Sequence, residues 1–392
     1  MGGLTTIPEN IKLAVVTAVP FPIGMAGTNR ILSYSRGLVE LGDTVTVLTT
    51  HPGNDKSHTG IYSGVRYKRF VNWSIAYQWL PLAMAISIFN MSSHLMKNKA
   101  EYDAVLMVSN SLIFITAMFL ICKATGLTYI QEKSEFPFVL NSTNVIGRLY
   151  AKFYVSRVYR LFDGMIIMTH PLLAYFQSKT KRNCKKILLP MTVEADRFQE
   201  VRSQNMYGEY IAYCGYMGGN KDGVINLITS FGLISKTNPH VNLVLIGTAA
   251  KEDIKDLKQF ARKSKIANVI FHGYATRDDI PSLLSNAKIL ALARPSGLQS
   301  LGGFPTKLGE YLATGKPVVV TAVGDIPQYL DDKKNAFIVE PDDNKKFAEK
   351  LQYVLDNYEY SLSVGQQGKL LTSRIFSYRY QSKRLHSFLL DF

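Results

Sequence analysis

Two doubly wound α/β halves in tandem are the architecture this sequence predicts, and three observations predict it. The chain has 392 residues, too many for one ordinary core, so two domains of near-equal size are expected. Short runs of aliphatic and β-branched residues alternate with helix-like segments, the pattern of parallel strands covered on both faces. The alternation then restarts in the second half from a new strand and a glycine-rich loop.

Taken in order, "IKLAVVTAVPFP" (11–22) reads as a buried strand. The loop "IGMAGTNR" follows and opens a helix through "ILSYSRGLVELG", which Gly42 stops. "TVTVLTT" (44–50) is the next strand. Residues 104–122, "AVLMVSNSLIFITAMFLIC", are long enough to cross a bilayer, but "SNS" at 109–111 divides them into a strand and a separate helix. "TYIQEKSEFP" and "GMIIMTH" supply later strands, and "KKILLPMTVEADRF" (185–198) leads out of this half. The second half begins with "YIAYCGYMGGNKDGVINLITSF", again strand, glycine loop and helix. "VNLVLIGTA" and "NVIFHG" are strands, "RDDIPSLLSNA" a helix and "AKILALAR" another strand. "GGFPTKLGEYLATGKPVVVT" (302–321) joins a glycine pair to a helix and the helix to a strand. An N-terminal domain over 1–198 and a C-terminal domain over 207–375 follow, with the boundary in the polar segment "QEVRSQNMYGE" (199–209). Ligands of doubly wound sheets bind at the carboxyl ends of the strands, so both glycine loops and the 302–321 stretch are expected to face one cleft between the halves.

The charge balance narrows the partners. Lys and Arg outnumber Asp and Glu 45 to 30, a net charge of +15 that suits nucleic acid, phospholipid headgroups or pyrophosphate-bearing substrates. The densest basic run, "KTKRNCKK" (179–186), has no interleaved aromatics, which argues against nucleic acid. It reads as a solvated face, or as a dock for an anionic lipid or phosphorylated acceptor. In residues 70–96, Trp73 and Trp79 precede an apolar helix, with Arg66, Lys68, Arg69, Lys97 and Lys99 on its flanks. Peripheral contact with an anionic membrane fits that pattern, and so does core packing. Cys122, Cys184 and Cys214 lack metal-ligand spacing and read as buried, reduced thiols, and no other His, Asp or Cys grouping suits a metal. No n-region, h-region and cleavage-site sequence opens the chain, so a cytoplasmic protein is expected, at the inner face of the plasma membrane where it meets lipid.

The segments "VPFPIGMAGTNRILSYSRGLVELG" (19–42), "LPMTVEADRF", "GYMGGNKDG" (215–223) and "GGFPTKLGEYLATGKPVVVT" resemble, in order and over nearly the whole chain, those of the family 4 retaining glycosyltransferases. The final "FSYRYQSKRLHSFL" (376–389) resembles that family's terminal helix, which returns to the first domain. The resemblance implies a GT-B fold, an acceptor-binding first half and a second half that binds a nucleotide sugar. It implies transfer of a hexose to a hydroxyl of a glycan or lipid-linked saccharide in surface polysaccharide synthesis, without cofactor or metal.

Residue by residue, the resemblance makes Lys221 the diphosphate-binding lysine, while Tyr216 stands after Gly215 where the family usually has arginine. Arg294, at a strand end, and Lys307, beside Thr306 in a first helical turn, are the cations that could replace it. Glu310 is placed to accept hydrogen bonds from ribose hydroxyls, but Gly302 replaces the glutamate that would touch the donor sugar. Backbone N–H groups at Gly303 and Phe304, ahead of Pro305, remain to meet sugar and phosphate, with Gln299 or Ser300 as substitutes for the lost carboxylate. Gly24 and Gly27 resemble the loop that lies against the donor diphosphate. Thr28 and Asn29 are expected to reach phosphates or acceptor, and Arg30 to point to solvent. "GMAG" is not the dinucleotide fingerprint, which argues against a nicotinamide dehydrogenase. Glu135 and then Glu132 are the candidates for orienting the acceptor hydroxyl, while the leaving phosphate takes the proton. His170 reads as a hydrogen-bonded structural histidine. A GT-B epimerase or phosphorylase, and a non-catalytic GT-B protein that only binds a glycan or nucleotide, are the alternatives.

Overall fold

Strand β1 (Lys12–Thr17) shows how the first sheet is built: Leu13 and Val15 face one core cluster, while Ala14 and Val16 face another. Both faces are therefore covered, as the unbroken apolar run requires. The computed structural model describes residues 10–52, 57–71, 80–141, 143–199, 201 and 206–392. They divide into two units, Met1–Pro190 with Tyr378–Phe392, and Met191–Ser377.

The first unit adds β2 (Thr44–Thr49), β3 (Thr59–Tyr62), β4 (Val65–Arg69), β5 (Ala104–Val108), β6 (Thr128–Lys133), β7 (Gly164–Ile167) and β8 (Lys185–Leu188) in the order β3-β4-β2-β1-β5-β6-β7-β8. Only the β3–β4 hairpin is antiparallel. The order reverses between β1 and β5, the position at which such sheets bind ligands. Helix α1 (Ala26–Glu40) covers one face. The other is covered by α2 (Leu80–Lys97), α3 (Leu112–Thr125), α4 (Val145–Arg157) and α5 (His170–Gln177).

"SNS" acts as the sequence suggests: β5 ends at Val108, and the Ser111 side chain caps α3 by accepting from the Phe114 N–H at 3.5 Å. No helix among the described residues is long and apolar enough to cross a membrane. Trp73 and Trp79 lie outside the described residues. Helix α2 buries Ile88, Met91 and Leu95 and exposes Leu82, Phe89 and Met96 on its other side.

The second unit holds β9 (Glu209–Cys214), β10 (Val241–Ile246), β11 (Val269–Gly273), β12 (Ile289–Leu292), β13 (Val318–Thr321) and β14 (Phe337–Val339). All pair in parallel, in the order β11-β10-β9-β12-β13-β14, with the reversal between β9 and β12. Its helices are α6 (Val224–Ile234), α7 (Lys251–Lys263), α8 (Ile280–Ser285), α9 (Leu298–Gly302), α10 (Thr306–Thr314), α11 (Ile326–Tyr329), α12 (Asn344–Asp356) and α13 (Tyr358–Ser373). The division falls after Pro190, ahead of the 199–209 segment, of which 200 and 202–205 lie outside the described residues. Residues 191–198 stay with the second unit because the Val193 N–H donates to the Phe376 carbonyl at 2.9 Å and Gly309 packs on Met191 and Val193.

The last helix, α14 (Tyr378–Leu390), belongs to the first unit and lies along α1. The absent side chain of Gly37 admits Ser382, the Tyr378 hydroxyl donates to Glu40 at 2.7 Å, and His386 Nδ1 meets Asp43 Oδ2 at 2.9 Å. The three cysteines are free and buried, and burial pushes the thiols of Cys122 and Cys214 up to about 12.

Candidate active site

In the second unit the candidate residues gather where the chain leaves β9 and β12, on either side of the sheet reversal. The loop after β9 runs into α6 through Gly223, whose φ is +66° and where a β-carbon would overlap the Ala293 carbonyl. That close approach sets Lys221 and Asp222 beside Arg294. Arg294 Nε donates to the Lys221 carbonyl at 3.3 Å and lies 3.4 Å from Asp222 Oδ1, while its Nη1 donates to the Gly303 carbonyl at 3.2 Å. Lys307, from the first turn of α10, crosses over Gly215 and also pairs with Asp222. The Tyr213 hydroxyl accepts from Lys307 Nζ at 3.0 Å, and its proton faces the Tyr216 carbonyl at 2.8 Å and Asp222 Oδ2 at 3.1 Å.

Two cations thus share one carboxylate. Burial works against the Asp222 charge, but Lys307, with Arg294 and Tyr213, outweighs it and holds the carboxyl below the usual range. Burial pulls Lys307 below an ordinary lysine, with Asp222 opposing. Arg294 is 1% exposed and stands behind the cluster, whereas Lys221 projects to the surface. The sequence reading missed Asp222, although it adjoins Lys221 in "GNKDG".

Glu310, on α10, accepts from Arg197 Nη1 at 3.0 Å through Oε1, and Arg277, whose carbonyl Arg197 also meets, pairs with Glu194 at 2.7 Å. Among the described residues nothing bonds Glu310 Oε2. The Gly303 N–H is already donated to the Gln299 carbonyl at 3.1 Å, which corrects its expected use toward sugar and phosphate. The Phe304 ring packs in a three-ring cluster with Tyr329 and Phe376, and Pro305 leads into Thr306 at the start of α10. Ser300 is buried and donates to the Pro295 carbonyl at 2.7 Å, so it does not replace the missing carboxylate; Gln299 is exposed. Tyr216 is half exposed.

In the first unit a cavity of about 330 Å³ opens at the reversal between β1 and β5. Gly27, Asn110, Lys133 and Glu135 line it, together with Arg30 and Glu132. Successive residues of β6 point to opposite faces, and this separates the two charges that follow one another there. Glu132 turns toward α1 and accepts from Arg30 Nε at 2.7 Å. Arg30 also donates to the carbonyls of Leu189 and Pro190, each at 2.9 Å, and is buried; the expectation that it points to solvent is overturned. The buried carboxylate at the end of β6 needed a cation, and an arginine with five donors could also satisfy the two carbonyls that follow β8.

Lys133 turns the other way, bonds Asn110 Oδ1 and lies over the Tyr159 ring. Burial lowers its pKa to about 8, with Glu132 and Glu135 opposing. Sequence reading passed over it between two glutamates. Glu135 is exposed at the cavity. Tyr34, which also lines the cavity, keeps a buried hydroxyl with no hydrogen-bond partner among the described residues. Thr28 is buried and donates to the Pro20 carbonyl at 2.6 Å, fixing the loop. A side chain at Gly24 would collide with Thr28, whereas a β-carbon at Gly27 would make only an ordinary contact with Val19, at 3.9 Å. His170 is exposed in the first turn of α5, behind the Thr169 cap. No group of three or more His, Cys, Asp or Glu among the described residues could hold a metal ion.

Comparison with known proteins agrees with this architecture. Residues 197–371 match the family described as glycosyl transferases group 1. HepE of Anabaena, crystallised with UDP and glucose, superimposes with a TM-score of 0.75 at 14% identity, over 98% of this chain and 100% of that one. Sucrose-phosphate synthase from Thermosynechococcus elongatus gives 0.78 at 13% identity, over 97% and 98% of the two chains. An uncharacterised glycosyltransferase of Methanocaldococcus jannaschii is 25% identical over 115 residues, which cover 29% of this chain and 31% of that relative's length. The fold is therefore GT-B.

Proposed function

We propose that this chain, whose residues 197–371 carry a glycosyl transferase group 1 domain in a GT-B fold, transfers a sugar from a nucleotide donor to an acceptor hydroxyl with retained anomeric configuration. The observation that carries the proposal is the convergence of Arg294, Lys307 and the loop bearing Lys221 at the sheet reversal of the second unit. Departure of a nucleoside diphosphate builds negative charge on its oxygens, and fixed cations at that point lower the barrier. Lys221 meets the diphosphate directly. Lys307 follows once the anion competes with Asp222 for it, and Arg294 holds the loop in place from behind. Glu310, steadied by Arg197, takes the ribose hydroxyls through Oε2.

The first unit's cavity receives the acceptor. Glu135 orients its hydroxyl, while Glu132 is committed to Arg30 and acts as a positioning residue. The acceptor is a glycan or a lipid-linked saccharide, and the exposed apolar stripe of α2 supports peripheral contact with a membrane. Charge stabilisation falls to the lysines and arginine here, so the reaction is proposed to run without a metal.

HepE's complexes with UDP and UDP-glucose make uridine donors the first to try. The purified chain is incubated with a panel of nucleotide sugars and acceptor extracts, nucleoside diphosphate release is followed, and the product anomer is read by NMR. Release with one donor, lowered at least a hundredfold by Lys221→Ala, is the expected result. Donors that bind, lose affinity in Glu310→Ala and never turn over would instead mark a non-catalytic binding protein. Gly302 and Tyr216, at positions where the resembling family has charged side chains, favour that second reading.

A further inference from the structure

A larger cavity, about 570 Å³, lies in the first unit between α4, α5 and the residues before α4. Its walls include Val139 and Tyr175, and four cations reach it: Arg148 and Lys152 one turn apart on α4, Arg160 just beyond, and Lys179 after α5. None of the described residues lining it is acidic. None of the four cations forms an ion pair with a carboxylate among the described residues, and Lys179 lies over the Tyr175 ring. Four like charges around one apolar pocket repel one another, and an anion there would relieve that repulsion.

Helix α4 adds a second, independent feature. Ile146, Leu149 and Phe153, at the i, i+3 and i+7 positions of one helix face, are 82%, 64% and 53% exposed, and Val145 is exposed beside them. A soluble surface rarely leaves such a row uncovered, and cations bordering an apolar row are the pattern of a helix lying in the membrane interface. The volume suits a small polar headgroup rather than an extended polymer.

We infer that this face docks on a bilayer, with α4 laying its apolar row into the interface and the pocket behind it holding the phosphate of an anionic phospholipid. Arg148 and Arg160 offer bidentate forks to the phosphate oxygens, Lys152 and Lys179 add point charges, and Val139 and Tyr175 meet the glycerol and upper acyl carbons. The site is distinct from the residues assigned to donor and acceptor, so it stands whether or not the chain is a transferase. It also gives the basic balance of this half a function that the "KTKRNCKK" run alone did not.

Co-sedimentation of the full chain with vesicles tests it. The wild type should bind vesicles of phosphatidylcholine with a third phosphatidylglycerol, bind pure phosphatidylcholine weakly, and lose binding as salt rises. Arg148→Gln/Lys152→Gln should weaken partitioning about twenty-five-fold, at about fivefold for each cation near an anionic surface. Ile146→Ser/Phe153→Ser should weaken it at least tenfold while its melting midpoint stays at or above that of the wild type, because exposed residues are replaced. Binding that is unchanged in the double glutamine variant, or abolished only by changes in α2 such as Phe89→Ser, would overturn the assignment. Saturation of the pocket by soluble glycerol phosphate, with vesicles left unbound, would show a soluble ligand's site and overturn it equally.

Discussion

Asp222→Asn probes the charge balance on which the proposed donor site depends. The carboxylate is shared by Lys307 and Arg294, and the side-chain exposures of the three are 11%, 14% and 1%. Removing one partner from a buried ion pair costs about 3–5 kcal/mol, because the remaining charge stays buried without compensation. The amide keeps an oxygen for Lys307 and Tyr213, so the lower end, about 3 kcal/mol, is expected. For a domain of this size about 2–4 °C is lost per kcal/mol, which places the fall in the second unit's melting midpoint at about 6–12 °C. Because Asp222 is held below the usual carboxylate range, its stabilisation is fully present above that range and disappears as pH falls through the depressed value. The variant should therefore show a flatter acid limb.

At the same time the cluster gains a unit of positive charge, and a nucleoside diphosphate no longer competes with an internal carboxylate. Calorimetry with and without UDP reads both effects: the free variant melts lower, and the upward shift on adding nucleotide is larger than in the wild type. An unchanged midpoint would mean that solvent already screens the pair. A smaller nucleotide shift would refute competition between Asp222 and the diphosphate.

Two further substitutions extend the argument. Lys133, lowered from 10.5 to about 8 by burial, binds its proton more tightly in the unfolded chain, so stability should rise as pH goes from about 8 to about 10.5, by up to about 3 kcal/mol; Lys133→Met should abolish that alkaline rise in denaturant titrations, and a rise that survives would assign it to another group. Gly223→Ala and Gly219→Ala share similar backbone angles, φ +66° and +61°, but only the first β-carbon meets anything, so Gly219→Ala should cost about 1 kcal/mol while Gly223→Ala costs clearly more and weakens nucleotide binding. Equal costs would show that the contact with Ala293 is not what sets the loop.

The strands buried on both faces were legible because a covered parallel sheet leaves unbroken aliphatic runs, as in "KLAVVT" and "VNLVLI", whereas the half-exposed β3 and β4 and the three-residue β14 carry no such run and were not read. The capping serine in "SNS" likewise carried enough information to break an apolar stretch into strand and helix. The place of residues 191–198 was not legible. What ties them to the second unit is a backbone bond from Val193 to Phe376 and the packing of Gly309, contacts across long separations that leave no local pattern. The exposed row on α4 was overlooked for a different reason. Apolar residues at helical spacing more often mark a core face, and only the fold tells which side of the helix the core occupies.

The candidate site shows the same limit in chemical form. A motif names which side chains stand near a ligand, but each side chain's availability depends on what else it meets. Lys307 and Arg294 were recognisable as cations at a helix start and a strand end, yet their charge is partly spent on Asp222, so the cluster offers an incoming anion less than two positive charges. Glu132 and Glu135 looked nearly equivalent in sequence, and the end of β6 decides between them: Glu132, still in the strand, is locked to Arg30, while Glu135, two residues past its end, stands exposed at the cavity. Lys133, between them, combines burial with a hydrogen bond to Asn110, and burial lowers its pKa to about 8 against the opposing charges of both glutamates. The division between Glu132 and Lys133 follows from the alternation of a strand, since neighbours in sequence face opposite sides of the sheet and so meet different partners.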